Sequence, residues 1–310
     1  MVRVVVAGHV NWDVTLRVNS LPDPDGEARI TSQHRSCGGS AANVASALSG
    51  FGLDTSLIGS VGEDEPGYLA RQILASDGVD VDAVSTVRGA ETTVKYLLVD
   101  EQGAVMVLAN DGANEAIEPA SVDTELVASA THLHLSSQRP ETARRLADRA
   151  ATHDVPVSFD PGRRLEARNF ESLLESVDVL FLNEREARAI FDERREDPAG
   201  FVSGTDRTLV LKRGGDGATV FVDNEEYTHP GFGVDPVDTT GAGDAFAAGF
   251  IWTRLGDALA DRSWETEYER ALAVANACGA IASGRQGARS APERSTIESF
   301  LRDATTDVDR

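Results

Sequence analysis

Between residues 238 and 244 the chain reads Asp-Thr-Thr-Gly-Ala-Gly-Asp, and an apolar stretch from Ala245 to Leu255 follows at once. Gly241 and Gly243 let the backbone turn tightly and leave the N–H groups of Gly241, Ala242 and Gly243 open to a ligand. A helix opening at Ala245 adds the positive end of its dipole at the same spot. A phosphate fits such a hole. Asp244 in the first turn repels the anion that its surroundings attract, unless an uncharged group has to be deprotonated beside that phosphate. A hydroxyl attacking a phosphoryl group meets that need. The plainer alternative is a glycine-rich loop with Asp244 as an ordinary first-turn helix residue.

Two further segments carry polar groups of the right kind. Gly38-Gly39-Ser40-Ala41-Ala42-Asn43 opens an apolar helical run through Leu48. Its glycines permit close approach of a ligand, and Asn43 offers both a donor and an acceptor, as reading a sugar hydroxyl requires; a simple helix cap is the alternative. At the N-terminus the strand-like run Val2 to Ala7 leads into Gly8-His9-Val10-Asn11-Trp12-Asp13. In an extended segment Asn11 and Asp13 share a face and can address one ligand while Trp12 points away.

Placing these groups together requires a scaffold that gathers strand ends. Apolar β-branched runs recur at Val2 to Ala7, Thr55 to Ile58, Leu133 to Leu135, Val155 to Phe159, Val179 to Leu182 and Leu209 to Leu211, with helical stretches between. That alternation predicts a mostly parallel sheet covered by helices on both faces, with ligands at the carboxyl ends of its strands. Asp13 to Arg17 with Ala28 to His34, and Thr93 to Leu98 with Ala104 to Leu108, alternate apolar and polar residues instead. They predict half-exposed antiparallel strands. Arg213-Gly214-Gly215-Asp216-Gly217 lies between two strand-like runs and reads as a hairpin turn. His132 and His134 have metal-like spacing but no third ligand near in sequence, so both are expected in the core.

The 310 residues, 41% of them hydrophobic, suffice for one large α/β domain. No run of about 18 apolar residues occurs and the N-terminal run is too short for a signal peptide, so a cytoplasmic protein without membrane attachment is expected. Cys37 and Cys278 fit packing roles. The formal net charge of −22 argues against nucleic-acid binding. It also opposes the approach of anionic substrates, except at molar salt, where the Debye length is about 3 Å; a halophilic setting is therefore expected.

Together the motifs resemble the ribokinase-like, or phosphofructokinase-B type, carbohydrate kinases. Gly38-Gly39 through Asn43 and Ala45 to Gly52 and Gly62 is similar to the first signature of that family, and Asp238 to Ile251 to the second. Asn183-Glu184-Arg185-Glu186 resembles its Asn-x-x-Glu element and Ala275-Asn276-Ala277 its adenine-side helix. The resemblance implies a three-layer α/β/α sandwich as one domain over residues 1–310, with a small β-sheet lid formed by about 12–37 and 92–110 and often paired with a second subunit's lid. It implies an ATP-dependent transfer of the γ-phosphate to a hydroxyl of a sugar or sugar derivative, with Asp244 as base and Gly241, Ala242 and Gly243 as anion hole. Asn11, Asp13, Gly38, Gly39 and Asn43 would hold the sugar, and Arg163 a phosphate. Asn183, Lys212, Gly214, Gly217 and Asn276 fall on the nucleotide side, Glu186 with Mg²⁺ through water, and Asp238 and Thr240 at a K⁺ site. Ser40 stands where ribose kinases carry Lys, and their acidic sugar contact is replaced near Ser136-Ser137. These departures speak against free ribose and leave nucleosides, ribose 1-phosphate, fructose and 2-keto-3-deoxygluconate. A sensor that kept the fold and lost catalysis is the reading from another class; the intact Asp244 opposes it.

Overall fold

In chain order the strands of the computed structural model are Arg3–Gly8 (β1), Asn11–Val18 (β2), Ile30–Gly38 (β3), Asp54–Gly62 (β4), Val84–Val87 (β5), Val94–Val99 (β6), Val105–Ala109 (β7), His132–Ser136 (β8), Val157–Asp160 (β9), Val179–Asn183 (β10), Thr208–Lys212 (β11), Ala218–Val222 (β12) and Glu225–His229 (β13). The helices are Ser40–Gly50 (α1), Glu65–Ser76 (α2), Thr124–Ala128 (α3), Pro140–Ala151 (α4), Glu171–Leu174 (α5), Glu184–Arg194 (α6), Pro198–Val202 (α7), Ala242–Leu255 (α8), Glu267–Ser283 (α9) and Arg294–Val308 (α10). The structure describes residues 2–308 apart from 163, 164, 166, 167, 195, 257–263, 286 and 288–291.

Nine strands form one sheet in the order β13-β12-β11-β10-β9-β8-β1-β4-β5. From β11 to β5 every pair is parallel, whereas β12 and β13 are antiparallel additions at one edge. Strand alternation divides the core. Val4 and Val6 of β1 pack with α1, α2, α8, α9 and α10 on one face, and Val5 and Ala7 with α3, α4, α5, α6 and α7 on the other. Burial on both faces explains why these strands read as unbroken apolar runs. Helices α8 and α9 approach closely because position 249 is glycine: a Cβ there would stand 2.8 Å from Cys278 Sγ. Cys278 and Cys37 are buried and not joined in a disulfide, as packing residues.

The other four strands form a separate sheet, β3-β2-β6-β7. The alternating segments are strands that pair antiparallel as expected, β2 with β3 and β6 with β7, and β2 and β6 join the two pairs in parallel. Their contact joins residues about eighty positions apart, beyond the reach of a local pattern. Strands β5 and β13 lie outside the expected set. Both are short edge strands, and β13 (Glu-Glu-Tyr-Thr-His) has little apolar content because one side is open to solvent. The chain passes from β1 in the large sheet to β2 in the small one across His9 and Val10 alone.

Candidate active site

The seam between the two sheets fixes the first group of polar residues. Asn11 pairs with Gly38, and Asp13 with Ser36, across the β2–β3 ladder. Any Cβ at Gly38 would collide with the carboxylate of Asp13. At Gly39 φ is +99°, and a Cβ would run into the His9 carbonyl. The glycine pair is thus imposed by the backbone and by Asp13, and it delivers the N-terminus of α1, with Asn43, to the same place. Asn11 and Asp13 are both buried. Asn11 Oδ1 accepts from Asn114 Nδ2, while Asn114 Oδ1 accepts from Val10 N at 3.0 Å. Asn11 Nδ2, Asp13 Oδ1 and Asn43 Oδ1 are nevertheless buried without a hydrogen-bond partner among the described residues. A polar group left so costs about 1–3 kcal/mol, and a ligand carrying several hydroxyls supplies both the donors and the acceptors they lack.

Helices α1 and α8 bring their N-termini together. Asn43 Nδ2 donates to Asp244 Oδ2 at 2.7 Å. Burial raises the pKa of Asp244 to about 6 against the Asn43 hydrogen bond, with Asp160 raising it further. Burial likewise pushes Asp13 up to about 6, opposed by Lys95. A carboxylate with this proton affinity is better matched to accept a proton near neutral pH than an ordinary Asp. Gly241 precedes α8 in the left-handed conformation (φ +79°). Of the three anion-hole positions, Ala242 departs from the expectation: its N–H donates to the Thr239 carbonyl at 3.2 Å, closing the turn. The N–H groups of Gly241 and Gly243 make no hydrogen bond to a described residue and remain for a phosphate.

Lys212, at the end of β11, reaches toward this hole. A Cβ on Gly243 would stand 3.7 Å from Lys212 Nζ. The ammonium is 2.5 Å from Asp160 Oδ2 at the end of β9. Burial disfavours its charge, but Asp160 and Glu186 outweigh burial and raise its pKa. Asp160 lies at one of the strand ends where ligands are expected to gather, but no role of its own could be read for it from the sequence; sheet order sets it opposite Lys212. Asn183 and Glu186 form a reciprocal pair at the start of α6: Asn183 N donates to Glu186 Oε2 and Glu186 N to Asn183 Oδ1, both at 2.9 Å. The Asn-x-x-Glu element is therefore a capping box. It holds Glu186 buried beside Asp160, and burial and that neighbouring charge raise its pKa.

Mg²⁺ in phosphoryl-transfer sites takes one or two carboxylates together with substrate phosphates and water. Glu186, a buried carboxylate crowded by another, fits that donor set. No group of three or more His, Cys, Asp or Glu suited to a metal occurs among the described residues. Asp238 Oδ1 accepts from Thr240 N at 2.9 Å and Oδ2 from Gly287 N at 3.1 Å, so Asp238 fixes the loop before α8.

The remaining positions are less engaged. Gly214 and Gly217 flank a turn between β11 and β12, which pair antiparallel as expected. Gly217 has φ +83° and abuts the His229 carbonyl, so backbone packing demands it. Asn276 is buried and its Nδ2 donates to Leu272 O at 2.8 Å within α9. Arg163 lies outside the described residues. His132 Nε2 and His134 Nδ1 both meet Ser158 Oγ, at 2.7 and 2.8 Å, and burial lowers their pKa values to about 3 and about 4. They are neutral core residues.

Known proteins share this frame. No helix among the described residues is long and apolar enough to cross a membrane. The nucleoside kinase of Methanocaldococcus jannaschii superimposes with a TM-score of 0.83 at 21% identity, over 98% of this chain and 99% of that one. Ribokinase of Arabidopsis thaliana, solved with ribose and ATP, gives a TM-score of 0.82 at 23% identity, over 97% and 99%. In sequence, the chain is 54% identical to the ATP-dependent ribose-1-phosphate kinase of Halopiger xanaduensis over 301 residues, 97% of this chain and 98% of that one. Residues 1–294 match the family described as pfkB family carbohydrate kinase. The chain therefore belongs to the pfkB family of carbohydrate kinases and is an ATP-dependent carbohydrate kinase.

Proposed function

We propose that the acceptor is ribose 1-phosphate and that Asp244 removes a proton from one of its hydroxyls as that oxygen attacks the γ-phosphate of ATP. The observation that carries the substrate is the 54% identity, over nearly the whole of both chains, with a kinase of that name. Ser40, in place of the lysine of ribose kinases, favours it over free ribose. Asn11, Asp13 and Asn43, whose orphan atoms call for hydroxyls, would orient the sugar, and Gly38 and Gly39 let it approach the backbone.

The N–H groups of Gly241 and Gly243, with Lys212, would hold the oxygens of the transferring phosphoryl group, so that positioning and fixed dipoles supply most of the rate. Glu186, oriented by Asn183, would hold Mg²⁺ through water; the ion, when bound, neutralises charge on the phosphates. Gly214, Gly217 and Asn276 would border the nucleotide, Asp238 and Thr240 a K⁺ ion, and Arg163 a phosphate.

The small sheet would act as the lid of a single domain spanning residues 1–310 and as a homodimer contact. The exposed Ile30, Tyr96, Val105 and Leu108 support a contact of this kind. The charge of −22 supports a cytoplasm rich in salt.

ATP consumption measured with ribose 1-phosphate, ribose, cytidine, fructose and 2-keto-3-deoxygluconate tests the substrate. The expected result is the highest kcat/KM on ribose 1-phosphate; a tenfold preference for any other acceptor overturns it.

A further inference from the structure

Only two of the 29 basic residues are lysines, and the fold carries both to the site from opposite sides. Lys212 belongs to the large sheet and faces the anion hole. Lys95 belongs to β6 of the small sheet, in register with Asp13 on the neighbouring parallel strand β2. In-register neighbours project from the same face of a sheet, so the Lys95 ammonium shares the face that presents the Asp13 carboxylate to the pocket. The residue is half-buried and makes no ion pair within 4.0 Å among the described residues. Its charge is nevertheless felt by both Asp13 and Asp244, holding down the proton affinity that burial gives each. A cation here, poised near two carboxylates and bonded to neither, is free to take a further anion.

Recognition of hydroxyls explains Asn11, Asp13 and Asn43 but gives Lys95 nothing to do. The γ-phosphate already has Gly241, Gly243 and Lys212 on its own side. An acceptor that carries a phosphate poses a different problem, because Asp13 and Asp244 repel it at short range, where salt does not screen. A flexible ammonium with three donors on the sugar side compensates for that repulsion and suits a phosphate as a point charge. We propose that Lys95 binds the phosphate already present on the acceptor, so that the small sheet reads the charge of the substrate while Asn11, Asp13 and Asn43 read its hydroxyls. This rests on the reading of the acceptor as ribose 1-phosphate, and it makes Lys95 the residue that separates phosphorylated from free sugars.

The test compares wild type with Lys95→Gln and Lys95→Arg in molar KCl, at pH 7.5 and 9, on ribose 1-phosphate, fructose 6-phosphate, ribose and cytidine. Unfolding temperatures verify that each variant folds. The expected result is a fall of about 10²-fold in the ratio of kcat/KM for ribose 1-phosphate to that for ribose in Lys95→Gln, carried mainly by KM, with partial recovery in Lys95→Arg. An unchanged ratio, or an equal loss on all acceptors that recovers at pH 9, overturns the proposal and leaves ribose 1-phosphate as substrate; Lys95 would then act only on the ionisation of Asp244. Preference of the wild type for fructose 6-phosphate, lost selectively in Lys95→Gln, overturns ribose 1-phosphate and supports Lys95 as the phosphate ligand. A wild type that prefers an unphosphorylated acceptor overturns both.

Discussion

Asp244, the base of the proposed mechanism, is a carboxylate whose environment opposes its charge. Its pKa of about 6 is set mainly by burial, and Asn43 and Lys212 restrain the rise. A base must be unprotonated to act, so kcat/KM should climb as pH rises through about 6 and level off above it; the raised pKa of Asp13 acts in the same direction. A profile flat from pH 5 to 8, with chemistry limiting, would contradict the assignment. Asp244→Asn keeps the shape of the side chain but cannot take the proton. It should lower kcat by roughly 10²- to 10⁴-fold while nucleotide affinity is kept or increased, because a negative charge beside the phosphates is gone. Asp235→Asn, on an exposed residue nearby, serves as the control. Retention of more than about a tenth of wild-type kcat in Asp244→Asn would remove it as the base. The role proposed for Asp244 could be read from the sequence because Gly241 and Gly243 lie beside it in the chain. Those of Asp160 and Lys95 could not, because their partners lie on other strands.

At the scale of elements, residues proposed for the site also fold the chain. Asn183 and Glu186 cap α6, and through that cap Glu186 is held in place although burial raises its proton affinity. The glycine pair before α1 works similarly: Gly38 makes room for Asp13, and Gly39 supplies a left-handed residue against His9. Gly39→Ala should therefore be among the costliest single-methyl changes. The backbone conformation alone costs about 1–3 kcal/mol, and the clash displaces His9 and Asn11 as well. The expected outcome is a lowered unfolding temperature together with a raised KM for the acceptor. Gly52→Ala, also at positive φ but with open space around its Cβ, should lose stability without the change in KM. Equal KM values for the two variants would show that Gly39 has only a backbone role.

For the whole molecule, charge governs behaviour before any contact does. Self-repulsion from a net charge of −22 acts over long range in dilute buffer and is suppressed at molar salt. Turnover and unfolding temperature should both rise from low to molar KCl, and the difference between KCl and NaCl isolates any K⁺ site at Asp238 and Thr240. Best activity in dilute buffer would refute the halophilic reading. Sedimentation at high salt should give a dimer at micromolar concentration, because the small sheet leaves Val105, Met106, Val107 and Leu108 of β7 exposed; a monomer throughout would refute the contact.

The sequence by itself determined what depends on neighbours along the chain. The left-handed glycine turn before Asp244, the buried strands read from continuous apolar runs and the half-exposed strands read from alternation all follow from local backbone geometry and side-chain periodicity. Only the tertiary structure decided which distant groups meet. The parallel pairing of β2 with β6 sets Lys95 beside Asp13, and the sheet order sets Asp160 against Lys212. The packing of α1 on α8 joins Asn43 to Asp244 across two hundred residues. The shifted proton affinities belong to the same class, since burial and fields from other elements produce them.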